Sequence, residues 1–204
     1  DGNGRFVYLS PEVGGQIALV EAAANIIASG AEPLAITDCL NYGDPTDPEI
    51  FWELHQSVQG MADACREFNT PVISGNVSLY NENNGQAIHP TPMVGMVGLI
   101  KNIDRVIPSF VQYPGDKVYL VGQTRDDYAG SELQKMMTGD ISGIVKSFDL
   151  HHVHQYMQRL LTTMENGLVS SAHDLSEGGL GVALAETVFK TDLGLKVVFA
   201  DQPA

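Results

Sequence analysis

Basic residues and cysteines are scarce in this chain of 204 residues, and long apolar runs are missing. Eleven Lys and Arg stand against 25 Asp and Glu, a formal net charge of −14. We therefore expect no nucleic-acid partner, because Lys and Arg supply most of that affinity. Two cysteines, Cys39 and Cys65, are too few for a disulfide framework and favour a cytoplasmic protein with reduced thiols. Since no stretch approaches the ~20 apolar residues of a membrane span and no signal-peptide pattern opens the chain, we expect a soluble protein with no membrane partner.

The two commonest nucleotide-binding loops are absent too. Neither GxxxxGK[ST] nor GxGxxG occurs, and no Ser-His-Asp arrangement can be argued. A phosphate ligand would therefore depend on a divalent cation or on backbone N–H groups. His151, His152 and His154 begin a predicted helix, but a zinc site needs three or four convergent ligands and the sequence offers no further partner. We interpret them as a solvated helix start.

What the chain does contain is an alternation of helices and strands. Asp47 and Pro48 are the N-cap and first residue of a helix that runs to about Phe68. Asp149 caps another helix, which ends at Gly167. Further helices are predicted over 14–29, from about 131 and after 179, and strands over 6–9, 33–39, 71–74, 93–100, 117–121, 168–173 and 195–199.

A turn-rich stretch divides the chain. Residues 112–116 predict a boundary between a domain over 1–112 and a second domain over 113–204. In the first domain, the first long helix carries apolar residues on one face at helical spacing: Ile17, Val20, Ala24 and Ile27. Residues 1–5 are turn-forming and no Met precedes them, so we expect the chain to be a piece of something longer.

Polar residues follow two of the predicted strands. Asp38 ends the run 34–38, and Gly75, Asn76 and Ser78 follow the run 71–74. Open α/β sheets bind ligands outside the carboxyl ends of their strands, Asp and Asn oxygens suit Mg²⁺, and a glycine lets backbone approach a phosphate. The sequence therefore predicts part of a Mg-nucleotide site. The alternative is that Asp38 and Asn76 are turn residues that bond their own backbone.

A glycine-rich turn, Gly178-Gly179, precedes the last predicted helix. Free N–H groups and the helix dipole make such a turn a candidate anion site. Asp174 and Glu177 would repel a phosphate unless a metal intervened, whereas they suit a capped helix start. The capping pattern favours the structural interpretation, and His173 with Asp174 is interpreted as a helix-start or phosphate-adjacent element.

Five motifs occur in the order found in a known family. They are Asp1-Gly2-Asn3-Gly4-Arg5, Pro11-Glu12-Val13-Gly14-Gly15, Leu34-Ala35-Ile36-Thr37-Asp38, the nine-residue string from Ser74 to Glu82, and the string from Ser171 to Leu180. Together they resemble the second half of the synthetase subunits of the small bacterial phosphoribosylformylglycinamidine synthase family, over essentially the whole chain. The resemblance implies an α+β fold of the aminoimidazole ribonucleotide synthetase-like superfamily. An α/β-type N-terminal domain precedes an incomplete α+β C-terminal domain, and the two are part of one half of a pseudodimer.

The resemblance also implies an ATP-dependent ligase of purine biosynthesis. The amide oxygen of formylglycinamide ribonucleotide is phosphorylated, and ammonia then displaces the phosphate to give the amidine. A separate glutaminase subunit releases the ammonia from glutamine, and a small third subunit helps to pass it on. Matched by motif, Asp38 and Gly75 contact ATP, Asn76 binds Mg²⁺ and Ser78 contacts the ribonucleotide. No catalytic residue is carried over, since the family's catalytic His and main metal-binding carboxylates belong to the first half.

This chain resembles only the second half of the family's synthetase subunit. The lack of the first half leads to two expectations and leaves two alternatives. We expect this piece alone to be inactive as a synthetase, and we expect its exposed strand edges and faces to make it self-associate as a two-fold dimer. One alternative is a structural half that holds nucleotide for stability without a catalytic role. The other is a relative of the same fold that acts on a different substrate, against which the string from Ser74 to Glu82 argues.

Overall fold

The computed structural model describes residues 1–198, in which the strands all lie before residue 100, among three helices, and only helices follow. This mixed content confirms the α+β fold class. A 3-10 turn lies at Ile103–Arg105. The other elements are α1 (Gly4–Leu9), α2 (Pro11–Ala28), β1 (Glu32–Asn41), α3 (Pro48–Phe68), β2 (Val72–Ser78), β3 (Glu82–Asn83), β4 (Gln86–Ala87), β5 (Thr91–Leu99), α4 (Glu132–Thr138), α5 (Leu150–Glu165) and α6 (Gly179–Glu186).

A three-stranded sheet in the order β2-β1-β5 forms the centre of the N-terminal part of this chain. β1 runs parallel to β2 and antiparallel to β5. Parallel neighbours need a crossover, which α3 supplies. The strands predicted over 33–39, 71–74 and 93–100 are thus confirmed, although β1 and β2 continue further than predicted, to Asn41 and Ser78.

Helices α2 and α3 cover one face of this sheet. Ile36 and Leu40 of β1 point into the layer between them, together with Val94 of β5. There they meet Leu19 of α2 and Met61 of α3, and each of the five is less than a tenth exposed. Burial of a side chain of this size stabilises the fold by about 1.5–3 kcal/mol. This layer therefore supplies the core that positions β1 and β2.

Glycines bring the backbones of α2 and α3 into contact. A Cβ added at Gly60 would overlap the carbonyl oxygen of Glu12 and lie 2.8 Å from its carbonyl carbon. Gly15 is the reciprocal case, since a Cβ there would overlap the carbonyl oxygen of Ser57. The buried Ser57 hydroxyl lies 2.6 Å from the Tyr42 hydroxyl, which joins α3 to the segment after β1. The distance between the helices is therefore set by residues without side chains.

The core-facing side of α2 differs from the apolar face seen in the sequence. Of that face, Ile27 is buried and Val20 packs against the core cluster, but both also line, with Ile17 and Ala24, a cleft toward the C-terminal part of the chain. Small residues allow the close approach to α3, and the larger side chains take the wider space. The residues of α2 in the core cluster are Ala18, Leu19, Ala22 and Ala23.

Side-chain caps confirm three of the predicted helix starts. Asp47 accepts a hydrogen bond from Glu49 N–H at 2.8 Å, and Asp149 accepts one from His152 N–H at 3.0 Å. Ser131 caps α4, whereas α6 begins after Gly178 without a side-chain cap, so the expected capping role of Asp174 and Glu177 is wrong. Within residues 1–198 no helix is long and apolar enough to cross a membrane.

Several predicted strands are wrong. Residues 6–9 belong to α1, because Asn3 caps that helix by accepting a hydrogen bond from Arg5 N–H at 3.0 Å. Residues 117–121, 168–173 and 195–198 form no strand, and Phe199, the last residue of the third run, lies outside the described residues. A strand needs a neighbouring strand that pairs with its backbone groups, and in the described part of the chain no strand lies beside these runs.

Candidate functional site

Asp38 and Gly75 are direct neighbours on adjacent strands. The parallel register of β1 and β2 pairs Asp38 with Gly75 and Cys39 with Asn76. A Cβ added at Gly75 would overlap the Asp38 carboxylate and lie 2.9 Å from its carboxyl carbon. The glycine therefore leaves the space that the carboxylate fills.

The Asp38 carboxylate lies on the helix-covered side of the sheet. Side chains alternate along a strand, and Ile36 and Leu40, two residues away on either side, point into the core. Burial raises the pKa of Asp38, and a hydrogen bond from the backbone N–H of Asn76 offsets part of that rise. A partly buried carboxylate beside a bare backbone is a candidate ligand-binding group.

Asn76 and Ser78 lie on the opposite face. The Asn76 Nδ2 donates to Cys39 Sγ at 3.7 Å, and the Cys39 side chain points away from that of Asp38 by alternation. Ser78 pairs with Asn41, which shares the face of Cys39. The structure thus brings the predicted residues into neighbouring register positions but divides their side chains between two faces of the sheet.

The predicted position of three of these residues was wrong. Asp38, Gly75 and Asn76 lie within β1 and β2 and not in loops beyond them, whereas Ser78 does end its strand. Strand pairing joins backbone groups, so it continues through polar residues where one face of the sheet is open. For the same reason the alternative that Asp38 and Asn76 are turn residues is wrong.

Asn81 organises the end of β2, and sequence reasoning missed it. Its Nδ2 donates to the carbonyl oxygens of Ser78 at 2.9 Å and Tyr42 at 3.0 Å, and lies 3.1 Å from the Ser78 Oγ. Tyr80, beside it, has a φ of +60°, a left-handed conformation that is uncommon for a residue with a side chain. The signal was present, since Asn81 belongs to the same nine-residue string as Gly75, Asn76 and Ser78. These bonds hold the Ser78 hydroxyl at the sheet's end.

The face that carries Asn76 is open and apolar. Met93, Val97 and Leu99 of β5 alternate onto this face and are 48%, 54% and 50% exposed. Within residues 1–198, β2 has no strand partner on its outer edge. At the outer edge of β5, the Val94 N–H donates to the Asp1 carbonyl oxygen at 2.7 Å, and the Asp1 amino group donates to the Val94 carbonyl oxygen at 2.8 Å. A bare apolar face with an open edge is a surface suited to another polypeptide.

A second feature, separate from these residues, is a cleft of about 1320 Å³ between α2, α5 and residues 168–184. His173 and Asp174 line it, as does the glycine-rich turn, whereas Asp38, Gly75, Asn76 and Ser78 do not. The His173 Nδ1 lies 2.8 Å from the Asp174 carbonyl oxygen. The glycine-rich turn and the strand residues are therefore two different places in the fold.

The histidines at the start of α5 fasten that helix to α3. The Nδ1 atoms of His151 and His154 lie 2.9 and 3.1 Å from the same oxygen of Glu67. Hydrogen bonds from the two imidazoles, His151 foremost, lower the pKa of Glu67. In the described range no group of three or more His, Cys, Asp or Glu residues is arranged to hold a metal ion. Side-chain exposure is 64% for His151 but 23% for His154, so the interpretation as a solvated helix start was wrong for His154.

Known proteins resemble the chain along its whole length. Residues 1–100 match the N-terminal domain, and residues 113–204 the C-terminal domain, of AIR synthase related proteins. The chain is 98% identical over 202 residues to phosphoribosylformylglycinamidine synthase subunit PurL of Limosilactobacillus reuteri, a match that covers 99% of the chain. It is 76% identical over 197 residues, 97% of the chain, to the subunit of Limosilactobacillus fermentum. It spans 27% of the length of each of these relatives.

Solved structures resemble it as well. Thermotoga maritima PurL complexed with FGAR matches with a TM-score of 0.56 and 26% identity, over 88% of this chain and 25% of that chain. A HypE–HypF complex matches with a TM-score of 0.64 and 19% identity, over 85% of this chain and 53% of that chain. At that identity the second match is a likeness of fold alone.

Proposed function

Since the chain belongs to the AIR synthase related proteins, with an N-terminal domain followed by a C-terminal domain of that family, we propose that it is part of a phosphoribosylformylglycinamidine synthase. The observation that carries the proposal is the 98% identity over 202 residues to the Limosilactobacillus reuteri subunit. The chain is about a quarter of that relative's length, so the reaction belongs to the larger protein.

The proposed reaction is an ATP-dependent amidation in purine biosynthesis. ATP phosphorylates the amide oxygen of formylglycinamide ribonucleotide, and ammonia then displaces phosphate to leave the amidine. Ammonia is supplied from glutamine by a glutaminase subunit, with a small third subunit assisting its transfer. Phosphoryl transfer of this kind depends on positioning and charge neutralisation, which suits the polar groups on β1 and β2.

Within this reaction, we propose that Asp38 and Gly75 contact ATP and that Ser78 contacts the ribonucleotide. The bare backbone at Gly75 allows close approach, and Asn81 holds the Ser78 hydroxyl in place. Asp38 and Ser78 lie on opposite faces of the sheet. We therefore propose that ATP, at Asp38, and the ribonucleotide, at Ser78, meet around the open edge of β2. That edge is also a place where the rest of a longer protein can complete the site.

The residues present fit a magnesium ion that arrives with the nucleotide. Asn76 is exposed, and since its Nδ2 faces Cys39 its amide oxygen is available as a hard ligand. Mg²⁺ keeps several waters and binds few protein groups when phosphates supply the rest, so one amide oxygen suffices. When bound, the ion would neutralise phosphate charge on a chain with a formal net charge of −14. We propose Asn76 as this ligand.

Calorimetric titration with ATP tests the assignment. We expect heat of binding that requires Mg²⁺, disappears in Asn76→Ala and persists in the control Asn166→Ala, whose side chain bonds only within α5. Binding that does not need Mg²⁺, or that survives in Asn76→Ala, would contradict the role of Asn76. If this chain alone binds nothing, the same variants in the full-length protein decide the matter.

A second candidate function is structural. In it, this part of the longer protein binds a nucleotide that stabilises the fold, and it has no catalytic role. This function is favoured by the positions of Asp38 and Asn76, whose side chains point to opposite faces of the sheet and do not converge on one point. Full-length Asp38→Asn and Asn76→Ala separate the two. Lost turnover without a lowered melting temperature supports direct participation, and a lowered melting temperature with residual turnover supports the holding role. This chain alone should not turn over substrate with ammonia and ATP, and turnover would refute that expectation.

We also propose that the open face of the sheet binds the absent first half of the longer protein, and that a second copy replaces it when this chain is alone. Light scattering should then give the mass of a two-fold dimer. Val97→Glu, in the middle of the face, should yield monomers, whereas Ile103→Glu, exposed in the 3-10 turn, should not. A monodisperse wild-type monomer at high concentration would contradict the dimer.

A further inference from the structure

We propose that Arg5, near the start of this chain, acts as a latch. It holds the C-terminal part of the chain against the N-terminal part, beside the cleft. Its guanidinium, presented by α1, makes three bonds to the C-terminal part. Nη2 lies 2.7 Å from the Glu177 carboxylate and Nη1 lies 3.0 Å from the Glu132 carboxylate. Nε donates to the Gly130 carbonyl oxygen at 2.8 Å. One side chain, 18% exposed, thus gathers two separate segments, residues 130–132 and the turn at 177.

The base of the latch is rigid because residues 1–4 are seated on β5. Asp1 exchanges backbone hydrogen bonds with Val94, and a Cβ at Gly4 would lie 2.6 Å from the Thr91 Oγ1. Asn3 caps α1 and also donates to Glu177 at 2.6 Å. The first motif of the sequence therefore presents Arg5 from the edge of the sheet.

Helix α5, which also lines the cleft, is the part of this region that we expect to stay in place. It packs on the core of the N-terminal part through Val153 and Met157, and its Leu161 and Met164 are buried. Apolar packing of this kind persists at high ionic strength, whereas ion pairs near the surface are screened. When the latch breaks, the turn at 177 is released while α5 stays docked, so the cleft opens on one side.

Carboxylates outnumber cations around the latch. Burial raises the pKa of Glu21, the amino group of Asp1 offsets part of that rise, and the charges of Asp174 and Glu177 raise the pKa further. Two carboxylates, Glu132 and Glu177, contact the Arg5 guanidinium, and Glu21 and Asp174 add negative charge beside Glu177. Removal of the cation leaves like charges that repel one another, so loss of Arg5 pushes the turn away as well as releasing it.

Amide hydrogen exchange tests the latch. We compare Arg5→Met with Arg66→Met, which removes an exposed ion pair to Asp63 within α3 and is the matched control. Exchange at 174–180 should rise about fivefold in Arg5→Met, which corresponds to ~1 kcal/mol for an ion pair of this kind. Exchange in β1 should stay at the wild-type rate in both variants, and exchange in α3 should stay there in Arg5→Met. Arg5→Lys, which keeps the charge without the planar fork, should fall between.

Two outcomes overturn the proposal. One is unchanged exchange at 174–180 in Arg5→Met, and the other is an equal rise throughout α3 and β1, which is ordinary loss of stability. If Arg5→Met does not fold, Glu177→Gln at a half-exposed position gives the same readout, and unchanged protection there overturns the proposal as well.

Discussion

Replacement of Gly60 by Ala should force α2 away from α3 and lower the free energy of unfolding by about 2 kcal/mol. The new Cβ would overlap the Glu12 carbonyl oxygen and lie 2.8 Å from the carbonyl carbon, where ordinary contact begins at 3.4 Å. Both partners are backbone atoms and cannot rotate aside, so the helices must separate by at least ~0.6 Å in a close-packed layer. Overpacking of this kind costs roughly 3 kcal/mol, and the better helix propensity of alanine returns only about 1 kcal/mol.

Gly181 supplies the matched control. It lies inside α6, and a Cβ there would meet nothing within 4 Å. Gly181→Ala should therefore stabilise its helix by roughly 0.5–1 kcal/mol, the same propensity gain without the overlap. Urea unfolding followed by circular dichroism measures both variants. A Gly60→Ala protein as stable as the wild type would show that the helices do not touch through this glycine, and the crossing described here would be refuted.

Three further predictions concern titratable and buried polar groups. Burial, with help from neighbouring carboxylates, raises the pKa of Glu53 to about 7 from 4.5; its contribution to stability is therefore present below pH 4.5 and lost as the pH rises through 7. Glu53→Gln should remove that slope in urea unfolding at pH 5 and 8, and an identical slope in the variant would contradict the cause. Because the pKa of Asp38 is also raised, Asp38→Asn should stabilise the fold at pH 7 while it weakens Mg-ATP binding, which thermal melts and calorimetry test together. Ser57→Ala removes a 2.6 Å hydrogen bond and leaves the Tyr42 hydroxyl buried and unpaired, at a cost of roughly 1–3 kcal/mol. The double variant with Tyr42→Phe should recover part of the loss in the same urea assay.

Three helices that begin with a side-chain cap could be predicted from the sequence, although α1, which Asn3 caps, could not. Asp47, Ser131 and Asp149 each bond an N–H two or three residues further on. Such signals are local, so sequence neighbours suffice to reveal them. The same holds for β1, whose apolar run is long enough to indicate a buried strand.

Features that depend on a distant partner could not be predicted. The runs 117–121 and 168–173 have the pattern of strands, but a pattern does not state whether a partner is present. The site shows the same limit, since Asp38 and Gly75 could be expected near each other while the division of Asp38 and Asn76 between two faces depends on the register. Arg5 and Glu177, 172 residues apart, carry no mutual signal in sequence.

The wide separation of Arg5 from Glu177 also orders events in time. At about 5–20 residues per second, a ribosome makes the arginine roughly 9–35 s before its partner 172 residues later. The sheet and its two covering helices are complete in the nascent chain long before that. The Arg5 contact therefore cannot close the cleft until Glu177 has been made, however early the sheet has folded.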